Sequence, residues 1–407
     1  MKVLHVFSNI HDISGYQVRS KYVLDNQKRM GLDLAAASMW DGTSGGGKIF
    51  NGNVPVFLFD VREGFKKLPN IPIPIPYLRE AGREVRRYAV RRIFRSYLSQ
   101  VIERTRPDIV HAHSSWKTAL QAFAAARRAR LPFLYEIRGV WEETAVAERE
   151  ISRLGFEYVR SRFHENHLIR ESDAIVTLSE GLKQDLCARG GNPNRISVIP
   201  NGVDTAEFMP VPRDVQLAES LACGQRTIVG YISSLRKLEG IKYLVQAMRK
   251  VDECICAVIV GDGSERESLE RYARDLGVQD RIKFVGSVPH AGIARYYSII
   301  DIFVVPRIRQ KVCELVTPLK PLEAMAMGKC LLMSDVGGLR ELASEEETAQ
   351  FFEPENSESL ADKLRLLVAD AELRRKMGEK ARRYVVEKRD WRGLVNQYIP
   401  IYENLMR

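Results

Sequence analysis

Two kinds of apolar run take turns along this chain. Short unbroken blocks such as KVLHVF at 2–7, DIVHAH at 108–113, PFLYEI at 132–137 and AIVTLS at 174–179 read as strands buried on both faces of a parallel sheet. Between them lie segments with apolar residues three and four apart, such as VRSKYVLDNQKRM before Gly31, WKTALQAFAAARRAR, and EGLKQDLCARGG, which read as amphipathic helices. The composition then turns to Pro, Asn, Gly and Asp over 200–213, a domain boundary. A second round opens at TIVGYISS (227–234) and repeats the alternation through IKYLVQAMRKV, CICAVIVG, ERESLERYARDLG, IKFVGSV, IDIFVVP and KCLLMSD. The pattern predicts two doubly wound α/β domains in tandem. In the tail, Trp391, Leu394, Tyr398, Ile401 and Leu405 share one helical face, which either closes the second domain or crosses back to the first.

Length agrees with two domains: 407 residues exceed one ordinary core. Neither a signal peptide nor a membrane span is expected, because the apolar run at the N-terminus is only about five residues long. The six cysteines form no CxxC pair; Cys254 and Cys256, two apart on a strand, read as buried thiols in a reducing cytoplasm. The net charge of +10 is lopsided, since residues 1–200 hold 31 Lys and Arg against 21 Asp and Glu, while 201–407 hold 31 of each. Much of the excess sits in YLREAGREVRRYAVRRIFRSYLSQVIERTR (77–106), either a solvated basic face or a surface for anionic headgroups. No nucleic-acid module accompanies it, so nucleic acid is not an expected partner. The preceding PNIPIPIPY reads as an extended, mobile loop.

In such a fold ligands gather beyond the carboxyl ends of the strands. Gly15 follows the first strand, where backbone N–H groups can approach an anion, but no GxGxxG or P-loop is present. His111 and His113 point to one face of a strand. His113, nearer its end, suits hydrogen bonding or proton transfer, and no third ligand at spacing supports a metal. Arg138, Glu142 and Glu143 follow another strand; the carboxylates are an acid–base pair or a charged helix start. Gly261, in the turn GDGS, lets a base or phosphate near the backbone. In ELVTPLKPLEAMAMGKCLL (314–332), Pro321 suits the first helical position and places Glu323 in the first turn. Lys320, the amides of Leu319 and Lys320, and a carboxylate able to accept two hydroxyl hydrogens suit a nucleoside diphosphate and its ribose. Gly337 and Gly338 follow the next strand and are expected to face the same cleft.

Residues 314–342, with VHAHS, SEGLKQDL, VIPNGVD and the terminal helix rich in Trp and Tyr, resemble glycosyltransferase family 4, the retaining nucleotide-sugar transferases of the GT-B fold. SGY, HAHS, YEIRGVWEE and ELVTPLKPLEAMA resemble its exosortase- and exopolysaccharide-associated subgroup. The resemblance implies two Rossmann-like domains facing across a cleft, with the last helix returning to the first domain. Residues 1–205 with 390–407 would bind the acceptor and 206–389 the nucleotide sugar. It gives Glu323 the ribose hydroxyls, puts Val288 in the donor-binding set, and has His113 orient the reacting sugar. It implies no cofactor and no metal.

The chain departs from the family pattern in two places. The first of the usual pair of glutamates falls on Leu315, with Glu314 one residue early and expected to touch the transferred sugar if the loop absorbs the offset. The usual Arg and Lys of the diphosphate site fall on Ser234 and Glu239, so Arg236, Lys237 and Lys320 are expected to share that charge. The function expected is a cytoplasmic, peripheral-membrane retaining transferase using a UDP- or GDP-sugar and a glycan or lipid-linked acceptor. A sugar-nucleotide epimerase of the same fold, and a nucleotide-binding protein without turnover, are the alternatives.

Overall fold

The structure is a computed structural model that describes residues 1–8, 15–40, 54–66, 76–149, 151–345 and 347–407, with the side chains of 40 and 76–88 left out. The loop residues before Gly15 and most of PNIPIPIPY therefore lie outside the described residues. Among the described residues thirteen strands form in chain order: β1 (Lys2–Phe7), β2 (Asp33–Trp40), β3 (Val56–Asp60), β4 (Ile109–His113), β5 (Phe133–Ile137), β6 (Ala174–Thr177), β7 (Ile196–Val198), β8 (Thr227–Ile232), β9 (Ile255–Val260), β10 (Ile282–Gly286), β11 (Ile302–Val305), β12 (Cys330–Ser334) and β13 (Ala349–Phe352). The first seven make a parallel sheet in the order β3-β2-β1-β4-β5-β6-β7, the last six a second in the order β10-β9-β8-β11-β12-β13. Strand order reverses beside β1 in the first sheet and beside β8 in the second, and these switch points open the crevices where ligands bind.

The apolar blocks are strands for the reason their pattern suggests: β1, β4, β5, β8, β9 and β12 are buried on both faces under helices, so nothing in them needs to be polar for water. Polar residues on those strands are consequently informative. In the parallel registers His5 lies beside His111 and His113 beside Glu136, which sets all four side chains on one face of the first sheet.

The chain's last two helices, Trp391–Val395 and Tyr398–Met406, lie on that same face, packed on the first helix, Gly15–Arg29, and on β4. The crossing is pinned where the domains join: Val203 and Trp391 each donate an amide hydrogen bond across it, to Arg389 and Val203. Trp391, Tyr398 and Tyr402 are buried, Trp391 stacked on Tyr22.

The cysteines differ from the sequence reading. Cys256 is bonded to Cys223 rather than being a free thiol, and Cys254 is exposed. Cys254 precedes β9 instead of lying within it, so the alternation that buries Cys256 does not reach it.

Candidate functional site

The side expected to take the acceptor holds a hydrogen-bonded cluster under the carboxyl ends of β1, β4 and β5. Glu136 is its centre: Arg19 Nε and Arg138 Nε donate to Oε1 at 2.7 and 2.8 Å, and Tyr398 donates to Oε2 at 2.9 Å. Burial pushes this carboxyl up, but Arg138 and Arg19 outweigh it and hold it well below the usual range. His113 Nδ1 meets Arg138 Nη2 at 2.6 Å and its Nε2 meets His5 Nδ1 at 2.9 Å. His5 continues to Gln27, which donates to Tyr402 at 2.9 Å, and Tyr402 lies 2.8 Å from His111 Nδ1. The cluster thus closes through the returning helix.

Burial above all, then the neighbouring His111 and Arg138, lowers the His113 pKa well below the ordinary value, so its imidazole is neutral at pH 7. His113 is wholly covered: its ring stacks on Phe7 at 4.3 Å, and Ser8 ties to Ser114 and Ser115 above it. The nitrogens of His5, His111 and His113 gather within 4.8 Å of one another. They nevertheless bond to each other and to Gln27, Tyr402 and Arg138, and two guanidiniums beside them repel a cation. This donor set suits a proton-sharing network better than a metal cage.

On the donor side, the helix Lys320–Ala326 opens at the cleft. Glu323, buried in its first turn, accepts from Tyr297 Oη at 2.9 Å and from Lys320 Nζ at 3.0 and 2.8 Å through its two oxygens. Leu319, just ahead, reaches across to the first domain, where a Cβ built on Gly15 would lie 3.4 Å from its Cδ1. Gly15, Leu319, Lys320 and Glu323 are therefore brought together between the domains. Val288 is half-buried after β10 and packs in the same core as Tyr297.

Other expected site residues find partners within the chain. Glu314 Oε2 accepts from the amide of Gly337 at 2.6 Å. A Cβ on Gly337 would lie 2.6 Å from the Glu314 carbonyl, and one on Gly338 2.6 Å from that of Cys313, so these glycines serve backbone packing. Gly261, at φ 140°, allows the β9 loop to touch the loop after β8, since a Cβ there would strike Ser233 O at 1.8 Å. Arg236 pairs across the cleft with Glu148 at 3.2 Å, while Lys237 is exposed in a 3₁₀ turn. Glu142 and Glu143 start the helix Trp141–Arg149, but both are buried. Glu142 meets Arg189 and Arg162, and Glu143 accepts from Arg153 and Tyr158.

Sequence reasoning missed Arg307, which follows β11 and clamps Glu239 through both oxygens at 2.9 and 3.2 Å. Its guanidinium accounts for a carboxylate where a cation is usual. An arginine two residues past a strand end was the available signal. Arg19, Glu136, Tyr297 and Tyr398 were not read as site residues either, although Glu136 lies within YEIRGVWEE and Tyr398 on the terminal helical face; only register and the chain crossing bring them to the site.

Residues 54–207 match the family described as Glycosyltransferase Family 4, and residues 213–384 match Glycosyl transferases group 1. An uncharacterized glycosyltransferase of Methanocaldococcus jannaschii is 27% identical over 315 residues, 74% of this chain and 76% of its own length. N-acetyl-alpha-D-glucosaminyl L-malate synthase of Bacillus anthracis is 27% identical over 322 residues, 77% of this chain and 78% of its own. The crystal structure of Anabaena HepE in complex with UDP superposes with a TM-score of 0.77 at 18% identity, covering 99% of this chain and 100% of that one. The two matched families meet at the junction of the two sheets: the chain has the two-domain GT-B fold, its first domain matching Glycosyltransferase Family 4 and its second Glycosyl transferases group 1.

Proposed function

We propose that the enzyme moves a sugar, with retention of configuration, from a nucleoside diphosphate sugar to a hydroxyl of a lipid-linked or polysaccharide acceptor in exopolysaccharide synthesis, without a metal, at the cytoplasmic face of the membrane. One observation carries this: a buried glutamate, Glu323, in the first turn of a helix at the cleft, its carboxylate held by Lys320 and Tyr297. A ribose diol would donate its hydroxyl hydrogens to Glu323 in place of Lys320, releasing that ammonium toward the diphosphate. HepE, of the same fold, is known in complex with UDP and with UDP-glucose, which favours UDP here. In the retaining step the acceptor oxygen bonds to the anomeric carbon on the face from which the diphosphate leaves, and the acceptor proton passes to a diphosphate oxygen.

The test is thermal unfolding with UDP, GDP, ADP and their sugars, since a ligand bound only by the folded state raises Tm. UDP and a UDP-sugar should stabilise, and Glu323→Ala should weaken UDP about tenfold, the loss of one or two charged hydrogen bonds. If no nucleotide raises Tm, or Glu323→Ala binds as the parent does, the donor assignment falls. Product analysis with and without acceptor then separates transfer from epimerisation, and binding without turnover would point to the departures at Ser234, Glu239 and Leu315.

A further inference from the structure

The first domain carries an apolar ridge that the active site does not use. Leu154, Phe156, Val159 and Phe163 are 92, 78, 53 and 69% exposed, although each would ordinarily be buried. The last three lie along one face of the helix Phe156–Glu171, and Leu154 protrudes from the turn before it. Cations surround the ridge. Arg160 lies 5.5 Å over the Phe156 ring, and Phe163 leads through His164 to Trp116, which Arg91 and Lys117 approach at 5.9 and 6.0 Å. Arg91 belongs to the helix Pro76–Thr105, which holds eight arginines against three glutamates in sequence. The acid next to Phe156, Glu157, is paired with Arg149 at 2.7 Å.

We infer that this ridge is where the enzyme enters the surface of an anionic bilayer, Leu154, Phe156 and Phe163 reaching below the headgroups and the surrounding arginines pairing with lipid phosphates. Apolar tips rimmed by cations have the composition of an interfacial anchor. A second copy of the chain is a poorer occupant, because a two-fold contact would press one arginine-rich rim on another. The ridge also adjoins a cleft of about 170 Å³ lined by Ser115, Trp116, Trp141 and Tyr158. Ser115 follows β4 by two residues, so this cleft connects the bilayer side with the strand ends of the acceptor domain. The inference deepens the lipid-linked acceptor proposed above and rests on that reading for the kind of substrate, not for the surface itself.

Flotation of the purified chain with phosphatidylcholine vesicles, and with vesicles containing phosphatidylglycerol as well, tests it. Binding should require the anionic lipid, fall as salt is raised, and drop about tenfold in the Phe156→Ser/Phe163→Ser variant while Tm stays within a degree or two. Equal partition of parent and variant would overturn it. So would a dimer in sedimentation velocity that the same variant dissociates. UDP stabilisation measured without vesicles keeps the two readings apart: UDP binding with no flotation removes the anchor alone, and flotation with no nucleotide binding removes the transferase reading alone.

Discussion

His113 and Glu165 show how burial sets the state of single groups. His113 is neutral and bonded on both nitrogens, so beneath the proposed sugar site it can fix Arg138 and His5 without exchanging charge. His113→Ala should cut turnover about a hundredfold and donor affinity less than about threefold. Steady-state kinetics with calorimetry will check this, and parallel loss of both would reduce the imidazole to packing. Glu165 is the opposite case. It is buried with one oxygen, Oε2, lacking a side-chain partner among the described residues, and desolvation, then the nearby Glu142, raises its pKa from 4.5 to about 7. A carboxyl raised on folding contributes stability fully present below pH 4.5 and lost as pH rises through about 7. Glu165→Gln keeps the shape of the protonated acid, so it should change Tm little at pH 5 and stabilise by about 2–3 kcal/mol at pH 8. Thermal melts at the two pH values decide, and an equal effect at both would mean that Glu165 does not titrate in that window.

At the scale of elements, the returning helix Tyr398–Met406 is joined to the Glu136 cluster by two phenols, and Tyr398 carries the link to charged groups. It donates to Glu136 and accepts from Arg19 at 3.1 Å. Tyr398→Phe keeps the ring and removes both bonds, leaving Glu136 one donor short; the expected cost is about 1–3 kcal/mol, read as a lower Tm. An unchanged Tm would show that apolar packing alone holds the crossing. Which elements were legible follows from the same physics. Central strands announced themselves because burial on both faces demands an apolar run, whereas β3, β7 and β13 lie at sheet edges, are three to five residues long, and went unread. In β2 the middle, Ala35–Ala37 followed by Ser38, carries no β-branched or aromatic side chain to mark a strand. Lys320 and Glu323 were legible because a single turn of helix holds them together. The partners of Glu136 were not, since Arg19 and Tyr398 stand 117 and 262 residues away in sequence.

At the scale of the molecule, the question is what holds the two domains at their present separation. Apolar contacts cross, with Ala147 in the core of the second domain and Leu315 and Leu319 against cores of the first, and polar ones cross as well, the kind that exchange readily where domains move in a catalytic cycle. Glu341, just after the helix Gly337–Arg340, accepts from the amides of Glu180 and Gly181, both at 2.7 Å, and so caps the first turn of the helix Glu180–Ala188 from the other domain. Ser179 adds a bond to the carbonyl of Leu315, Lys311 pairs with Asp185 at 2.7 Å, and Asn201 donates to the Thr317 carbonyl at 2.8 Å. Three of these attach to the chain between β11 and the donor helix, so the loop that carries Lys320 is placed by the acceptor domain as well as its own. Of the four, only Glu341 sets a full charge against a helix N-terminus, worth about 1–2 kcal/mol at a partly exposed site. Removing it should loosen the closed arrangement without touching the nucleotide. Glu341→Ala is therefore expected to enlarge the radius of gyration in solution scattering and slow transfer about tenfold, with UDP affinity within a factor of two. If scattering and transfer both match the parent, the domains are held by the crossing helices and Glu341 serves only its own turn. If UDP affinity falls with transfer, the acceptor domain is part of the donor site.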